Sequence, residues 1–268
     1  MDMQDETTPR VTLVTGATGA IGKAIAQRIA AQPGHEVVLI CRDRAKAQAA
    51  VDDIRRRSGN PRVRFELADL SRQASITGLA ERLAGPVHVL VNNAAITPRR
   101  RIETPEGIEL QFATNVLGYF WMIRAFAERL AASAPARIVN VASYWAGGLD
   151  LADLEFRRRP YDNDAAYRQS KQADRMLTVA FAERLRDQGV TVNACHPGDV
   201  ASTLSHNLGF GGHETPEQGA DTPAWLATDP VGARGTGGWF EHRRPATCRF
   251  GADRVAVQAL YRACEAYG

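Results

Sequence analysis

Tyr167 and Lys171 stand four residues apart in "YRQSK", a spacing that on a helix puts both side chains on one face and within reach of each other. An ammonium beside a phenol stabilises the phenolate and draws the tyrosine pKa down toward the working range of a general acid–base catalyst. Carbonyl reduction needs such a group: as hydride arrives at carbon, the developing alkoxide must receive a proton or a strong hydrogen bond. Ser143, at the end of "RIVNVAS", supplies a second donor to the same oxygen, and Asn115 in "NVLG" suits a helix kink holding a water that reconnects the lysine to solvent. With tyrosine and serine as donors no metal is called for, and the six histidines lack ligand spacing.

A hydride needs a carrier, and "TGATGAIG", Thr15 to Gly22, follows the apolar run "VTLV" as a phosphate-binding turn would. Its glycines fit two spacings imperfectly. Gly16, Gly19 and Gly22 read as G-x-x-G-x-x-G, the form of sugar-nucleotide epimerases; read as G-x-x-x-G-x-G, the loop has Ala20 where the middle glycine is expected. At the end of the second apolar run, "VVLICRD", Cys41 occupies the position of the carboxylate that would bind a ribose 2′-hydroxyl, and Arg42 follows. An arginine there pairs bidentately with a 2′-phosphate, which favours NADP(H) over NAD(H). Asp69 in "ELADL" offers acceptors to an adenine amino group, and in "LVNNAA" the small Ala94 and Ala95 after Asn92 and Asn93 let backbone approach the adenine ribose.

These residues sit at the ends of short β-type runs, "RVTLVT", "EVVLIC", "RVRFEL", "VHVLVN", "ARIVNVA" and "TVNAC", which alternate with helical patterns such as 23–32, 107–132 and 165–186. That alternation predicts an α/β fold, a doubly wound parallel sheet with helices on both faces, its ligand at the carboxyl ends of the strands. The stretch from Ser205 to Pro223 lacks periodicity and reads as a long loop, and "GGWFEHRRPA" as a last strand before a helix from Ala252 to Ala266. The expected organisation is a disordered tail over 1–9 and one catalytic domain over 10–268. A formal charge of +3 points to small-molecule partners rather than nucleic acid. Four scattered cysteines, no apolar run of membrane-span length and a polar N-terminus read as a cytoplasmic protein. Three lysines stand against 30 arginines, which fits a GC-rich bacterial genome and singles out Lys171 as a retained ammonium.

From Val11 to about Ala246 the chain resembles the short-chain dehydrogenase/reductase family, through "TGATGAIG", "CRD", "NNAA", "FATNVLGYF", "RIVNVAS", "YRQSK" and "HPG". Within it the chain looks most like the retinol-dehydrogenase-like branch, through "VVLICRD", "TPEGIELQFATNVLGYF", "CHPGDV" and "GGWFEHRRPA". The resemblance implies a single Rossmann-type domain with about seven parallel strands and bound NADP(H). It implies Tyr167 as proton donor or acceptor, Lys171 as its pKa modifier and a nicotinamide-ribose ligand, Ser143 as the group polarising the carbonyl, and Asn115 in a proton relay. Cofactor contacts are expected at Gly16, Thr18, Gly19, Ala20, Ile21, Arg42, Asp69, Leu70, Asn93, Ala94, Ala95, Pro197, Gly198 and Val200, with either Ser202 or Thr203 at the diphosphate.

Two departures bear on function. The epimerase-like glycine loop raises NAD-assisted epimerisation or dehydration of a nucleotide sugar as a rival, beside a nucleotide-sensing protein without turnover; "NNAA" and the short chain favour the reductase. The interval from Ser143 to Tyr167, 24 positions, is longer than in compact family members, as in the retinol-dehydrogenase-like branch. It brings Tyr144, Trp145 and Tyr161, which with Phe210 suit a pocket for a bulky apolar or aromatic carbonyl or alcohol substrate, a polyketide or other bacterial secondary metabolite being one such class. The clusters 99–101, 157–159 and 243–244 of arginines read as solvated loop faces. The helical stretches 107–132 and 165–186 offer a homodimer face that the longer loops could equally obstruct.

Overall fold

The computed structural model describes residues 9–268, so the expected tail over 1–9 lies, apart from Pro9, outside the described residues. Eight strands form one sheet in the order β3-β2-β1-β4-β5-β6-β7-β8. They are β1 (Arg10–Thr15), β2 (His35–Cys41), β3 (Val63–Leu67), β4 (Val89–Asn92), β5 (Ala136–Val141), β6 (Val190–Cys195), β7 (Trp239–Glu241) and β8 (Arg244–Ala246). The first seven are parallel, and β8 runs antiparallel to β7. The doubly wound expectation therefore holds with one strand more. "WFEHRRPA" is a hairpin, because His242 and Arg243 both adopt positive φ (48° and 60°), the turn that lets two short strands fold back with matching twist.

The central strands are continuously apolar because each face is covered. In β2, Val37, Leu39 and Cys41 join one core layer while Val38 and Ile40 join the other, the period of two that a pleated strand imposes. The first layer is closed by α1 (Ala20–Ala30) and α2 (Arg44–Ser58), the second by α3 (Gln73–Arg82) and a long segment after β4. That segment starts as α4 (Leu110–Phe112), passes through a π-helical turn at Ala113–Leu117 and continues as α5 (Gly118–Ala132). Its start is set by Glu109, whose carboxylate accepts from the amides of Gln111 (2.8 Å) and Phe112 (2.6 Å). Beside α5 lies α6 (Asn163–Leu185), capped by Asp162, whose carboxylate accepts from Ala165 N.

The expected loop at 205–223 is instead a chain of short helices, α7 (Thr203–Asn207), α8 (Pro216–Gly219) and the first residues of α9 (Asp221–Thr228). Ser202 and Thr215 each open one with a reciprocal capping box. Helices of one or two turns show no apolar periodicity, so capping chemistry was their sequence signal. The chain ends in α10 (Arg254–Glu265), whose Val257, Leu260, Tyr261 and Cys264 seal α6 from solvent. Among the described residues half of the arginines in these clusters are paired: Arg101 with Glu103, Arg157 with Glu155, Arg159 with Asp153 and Arg243 with Asp221. None of the helices among the described residues is long and apolar enough to cross a membrane.

Phe120 of α5 is fully buried between Phe181 and Tyr261, at 5.3 and 5.1 Å between ring centroids. Phe120→Ala removes the ring that joins α5, α6 and α10, so a loss of about 3–5 kcal/mol is expected. It should appear in urea unfolding as a lower midpoint at unchanged slope.

Candidate active site

The sheet reverses its winding between β1 and β4, and the two chain exits open a cleft of about 330 Å³ over the carboxyl edge. Thr15 holds the exits together. Its hydroxyl accepts from the amides of Asn93 (2.9 Å) and Ala94 (3.1 Å), while Asn93 Nδ2 donates to the Thr15 carbonyl (2.9 Å). Two glycines follow from this closeness. Gly16 has φ of 64°, and a Cβ there would lie 2.8 Å from Ala94 Cα; a Cβ at Gly22 would lie 2.4 Å from the Gly16 carbonyl oxygen. Ala20 opens α1, where its methyl faces the cleft without displacing backbone.

Of the residues expected at a nucleotide, Gly16, Thr18, Gly19, Ala20, Ile21, Arg42, Leu70, Asn93, Ala94 and Ala95 line this cleft. Asp69 does not line it; its carboxylate accepts from the Ser71 amide (3.0 Å) and hydroxyl (2.7 Å), between Ala68 and Leu70, which do. Arg42 is exposed and, among the described residues, forms no ion pair, because Asp43 turns away to accept the Lys46 amide and start α2. Lys46 and Thr114 also line the cleft. Lys46 was legible as a second cation one turn beyond Arg42, whereas Thr114 arrives only through the tertiary approach of the π turn. Ser202 and Thr203 both border the cleft, with the Ser202 hydroxyl engaged in capping α7.

Past Ile21, Asn93 and Ala95 the cleft continues into a recess of about 60 Å³ that holds Ser143, Tyr167 and Lys171 together with Pro197, Gly198 and Val200. Trp145 and Phe210 form its apolar wall, ring centroids 4.6 Å apart. Tyr144, expected in the pocket, does not line the recess; it is exposed, edge-on to His196 and donating to Asp199 Oδ2 (3.1 Å). His196 and Asp199, flanking "PG", line the recess and were not singled out by spacing. Tyr161 lies elsewhere, its hydroxyl 3.0 Å from both the Pro98 carbonyl oxygen and Gln111 Oε1.

Asn115 lies fully buried in the π turn, where the widened backbone lets its side chain clamp Ile96, accepting from the amide (2.9 Å) and donating to the carbonyl (3.1 Å). It also donates to Ser170 Oγ (3.3 Å), one residue before the lysine. Lys171 Nζ donates to the Val141 carbonyl at the end of β5 (3.0 Å) and to Asp174 Oδ2 (2.9 Å), 6.0 Å from the Tyr167 ring centroid. The Tyr167 hydroxyl is held above the ordinary phenol value, chiefly by burial, with Ser143 pulling it down and the charges of Asp174 and Asp199 raising it. The Lys171 ammonium, expected from the Tyr–Lys spacing to act on this phenol, is engaged by the Val141 carbonyl and Asp174.

A cleft on a doubly wound sheet, running into a recess that holds Ser143, Tyr167 and Lys171, is an arrangement of the Rossmann type. Residues 10–209 match the family described as short chain dehydrogenase, and the chain belongs to it. It is 41% identical over 206 residues to mouse retinol dehydrogenase 13, an alignment covering 75% of this chain and 61% of that protein. It is 36% identical to a probable oxidoreductase of Streptomyces antibioticus, covering 94% of this chain and 93% of that one. A crystal structure of a short chain dehydrogenase from Burkholderia cenocepacia in complex with NADP superposes with a TM-score of 0.70 at 26% identity, over 88% of this chain and 97% of that chain.

The family binds a nicotinamide cofactor, and the cleft fits one, since it is lined by the Gly16–Gly22 turn at the start of α1 with the cations Arg42 and Lys46 beside it. Gly22→Ala is expected to push the loop from Asn93, weakening NADPH binding at least about tenfold and costing about 1–3 kcal/mol of stability. Titration of the cofactor's fluorescence checks the first figure and denaturant unfolding the second; wild-type affinity in the variant would mean the cradle does not seat the dinucleotide.

Proposed function

We propose that the protein reduces a ketone or aldehyde on a bulky apolar or aromatic molecule with NADPH, and oxidises the corresponding alcohol in reverse. The observation that carries this reading is the continuity of one crevice, with an unpaired Arg42 at one end and Ser143, Tyr167 and Lys171 at the other. Arg42 and Lys46 supply the positive charge a 2′-phosphate would need, with no carboxylate at Cys41 to favour a bare hydroxyl. The NADP bound in the Burkholderia relative supports the same choice. Trp145 and Phe210 favour an apolar substrate, and the four free cysteines fit a reducing compartment.

When bound, the nicotinamide supplies the hydride. Ser143 Oγ and the Tyr167 hydroxyl would converge on the carbonyl oxygen, polarising it and excluding water from its face. Tyr167 gives its proton to that oxygen as negative charge develops. Lys171, held at the Val141 carbonyl, stabilises the phenolate left behind, and Asn115, bonded to Ser170, would complete the path by which the proton is restored. A tyrosine held above its ordinary pKa is fully protonated at neutral pH, the state a proton donor requires.

Tyr167→Phe should lower kcat for a bulky aryl ketone by roughly 10²–10⁴-fold with cofactor affinity little changed. Steady-state kinetics with NADPH oxidation as the readout check this, and near-wild-type turnover would remove Tyr167 from the reaction. NADPH should bind more tightly than NADH, and Arg42→Asp should erase a preference of roughly ten- to hundredfold. Parallel fluorescence titrations with the two cofactors decide it; equal affinities in the wild type would overturn the NADP assignment.

A further inference from the structure

Asp174 is one turn beyond Lys171 on α6, so Tyr167, Lys171 and Asp174 form one row along the same helix face. The Lys171–Asp174 pair is wholly interior: the side chains are 3% and 0% exposed, with Nζ and Oδ2 2.9 Å apart. Asp174 Oδ1 is buried without a partner, an acceptor left unsatisfied in the core. An ion pair inside a core rarely stabilises more than apolar residues of the same volume, because both charges are stripped of water. The fold would therefore be served as well by an apolar pair, and the position of the charges calls for another account.

The ammonium reaches the recess, whereas the carboxylate lies behind it, outside the lining. We infer that Asp174 is a positioning residue for proton transfer: it holds the Lys171 ammonium at the Val141 carbonyl and offsets part of its charge, keeping Tyr167 in its proton-donating form. This rests on the carbonyl-reductase reading. The row thus raises the pH at which Tyr167 gives up its proton. The titratable groups facing the carboxylate are Lys171 and Tyr167 on α6, Tyr119 on α5 and Cys264 on α10, with Cys195 of β6 facing the ammonium; Asp164 and Asp199 add negative charge at Tyr167. Burial raises the Asp174 carboxyl, and the Lys171 ammonium 2.9 Å away pulls it back toward its charged form.

The test is Asp174→Asn, which keeps shape and loses charge. Ketone reduction requires protonated Tyr167, so activity falls as pH rises through the tyrosine pKa. Removing a negative charge lowers that pKa, and the alkaline limb of kcat/KM with NADPH should move to lower pH by about one unit. The rising limb of alcohol oxidation should move the same way. An unshifted profile overturns the inference, even if kcat falls, because a purely structural role would lower rates without moving the limb.

A double variant, Lys171→Met with Asp174→Leu, needs no substrate and answers even if the single variant fails to fold. Its Tm should equal or exceed the wild-type value; a markedly lower Tm would make the pair a structural fastening and overturn the inference. If the wild type reduces no carbonyl compound, the reductase reading fails, while the melting comparison still reports on the pair.

Discussion

The Thr15 hydroxyl joins two strands that leave the sheet toward opposite faces, and the geometry of the crevice depends on it. Parallel strands β1 and β4 are paired only as far as Val14 and Val91. Beyond them one chain turns into α1 and the other runs toward α4 and α5. Without a bond across the gap, the amides of Asn93 and Ala94 would have no partner within the sheet, and a buried amide left unmade is costly. Thr15 accepts from both, and its hydroxyl faces the Val91 carbonyl. A short hydroxyl can make these bonds only if the two backbones nearly touch, which is why Gly16 and Gly22 carry no side chain.

A second fastening acts at the other end of the β4 exit. Asn115 grips Ile96 by both its amide and its carbonyl, which fixes where the loop after β4 stops and where the π turn begins. The π turn interrupts the usual backbone ladder, and a sequence-local helix would gain nothing from it; the tertiary bonds of Asn115 repay the cost. At the end of β5, the Val141 carbonyl receives the Lys171 ammonium and the Tyr119 hydroxyl together. The backbone lining the cleft and the side chains of the recess are thus referred to three adjacent strand ends, so small errors in helix packing on either face need not displace one relative to the other.

Much of this was legible in the chain, because the residues concerned obey local rules. Apolar runs of strand length ending in Gly16, Asn93 or Ser143 locate the carboxyl edge, and the Tyr167–Lys171 spacing locates the inner face of α6. What was not legible depends on long-range approach or on elements too short for periodicity. The β7–β8 hairpin turns at His242 and Arg243, which carry none of the glycine or asparagine that usually marks such a turn. The short helices α7 and α8 are held by caps rather than by an apolar stripe. Asp69 was expected to offer acceptors to an adenine amino group, yet Ser71 two residues on bonds its carboxylate.

The division of the crevice into a wide part and a narrow one has a chemical consequence. The wide cleft is lined by backbone amides and partly exposed cations, a setting suited to phosphate, whose charge stays partly in water. The recess is lined by groups that are almost wholly buried, with Ser143 at 6%, Tyr167 at 8% and Lys171 at 2% exposure. In such a setting each charge is felt strongly, and one carboxylate more or less changes which form of a phenol is stable. The tyrosine–lysine spacing alone therefore underdetermines the chemistry. Two chains with the same "YxxxK" row but with or without a buried acid behind the lysine would present the same atoms with the phenol at different pKa values.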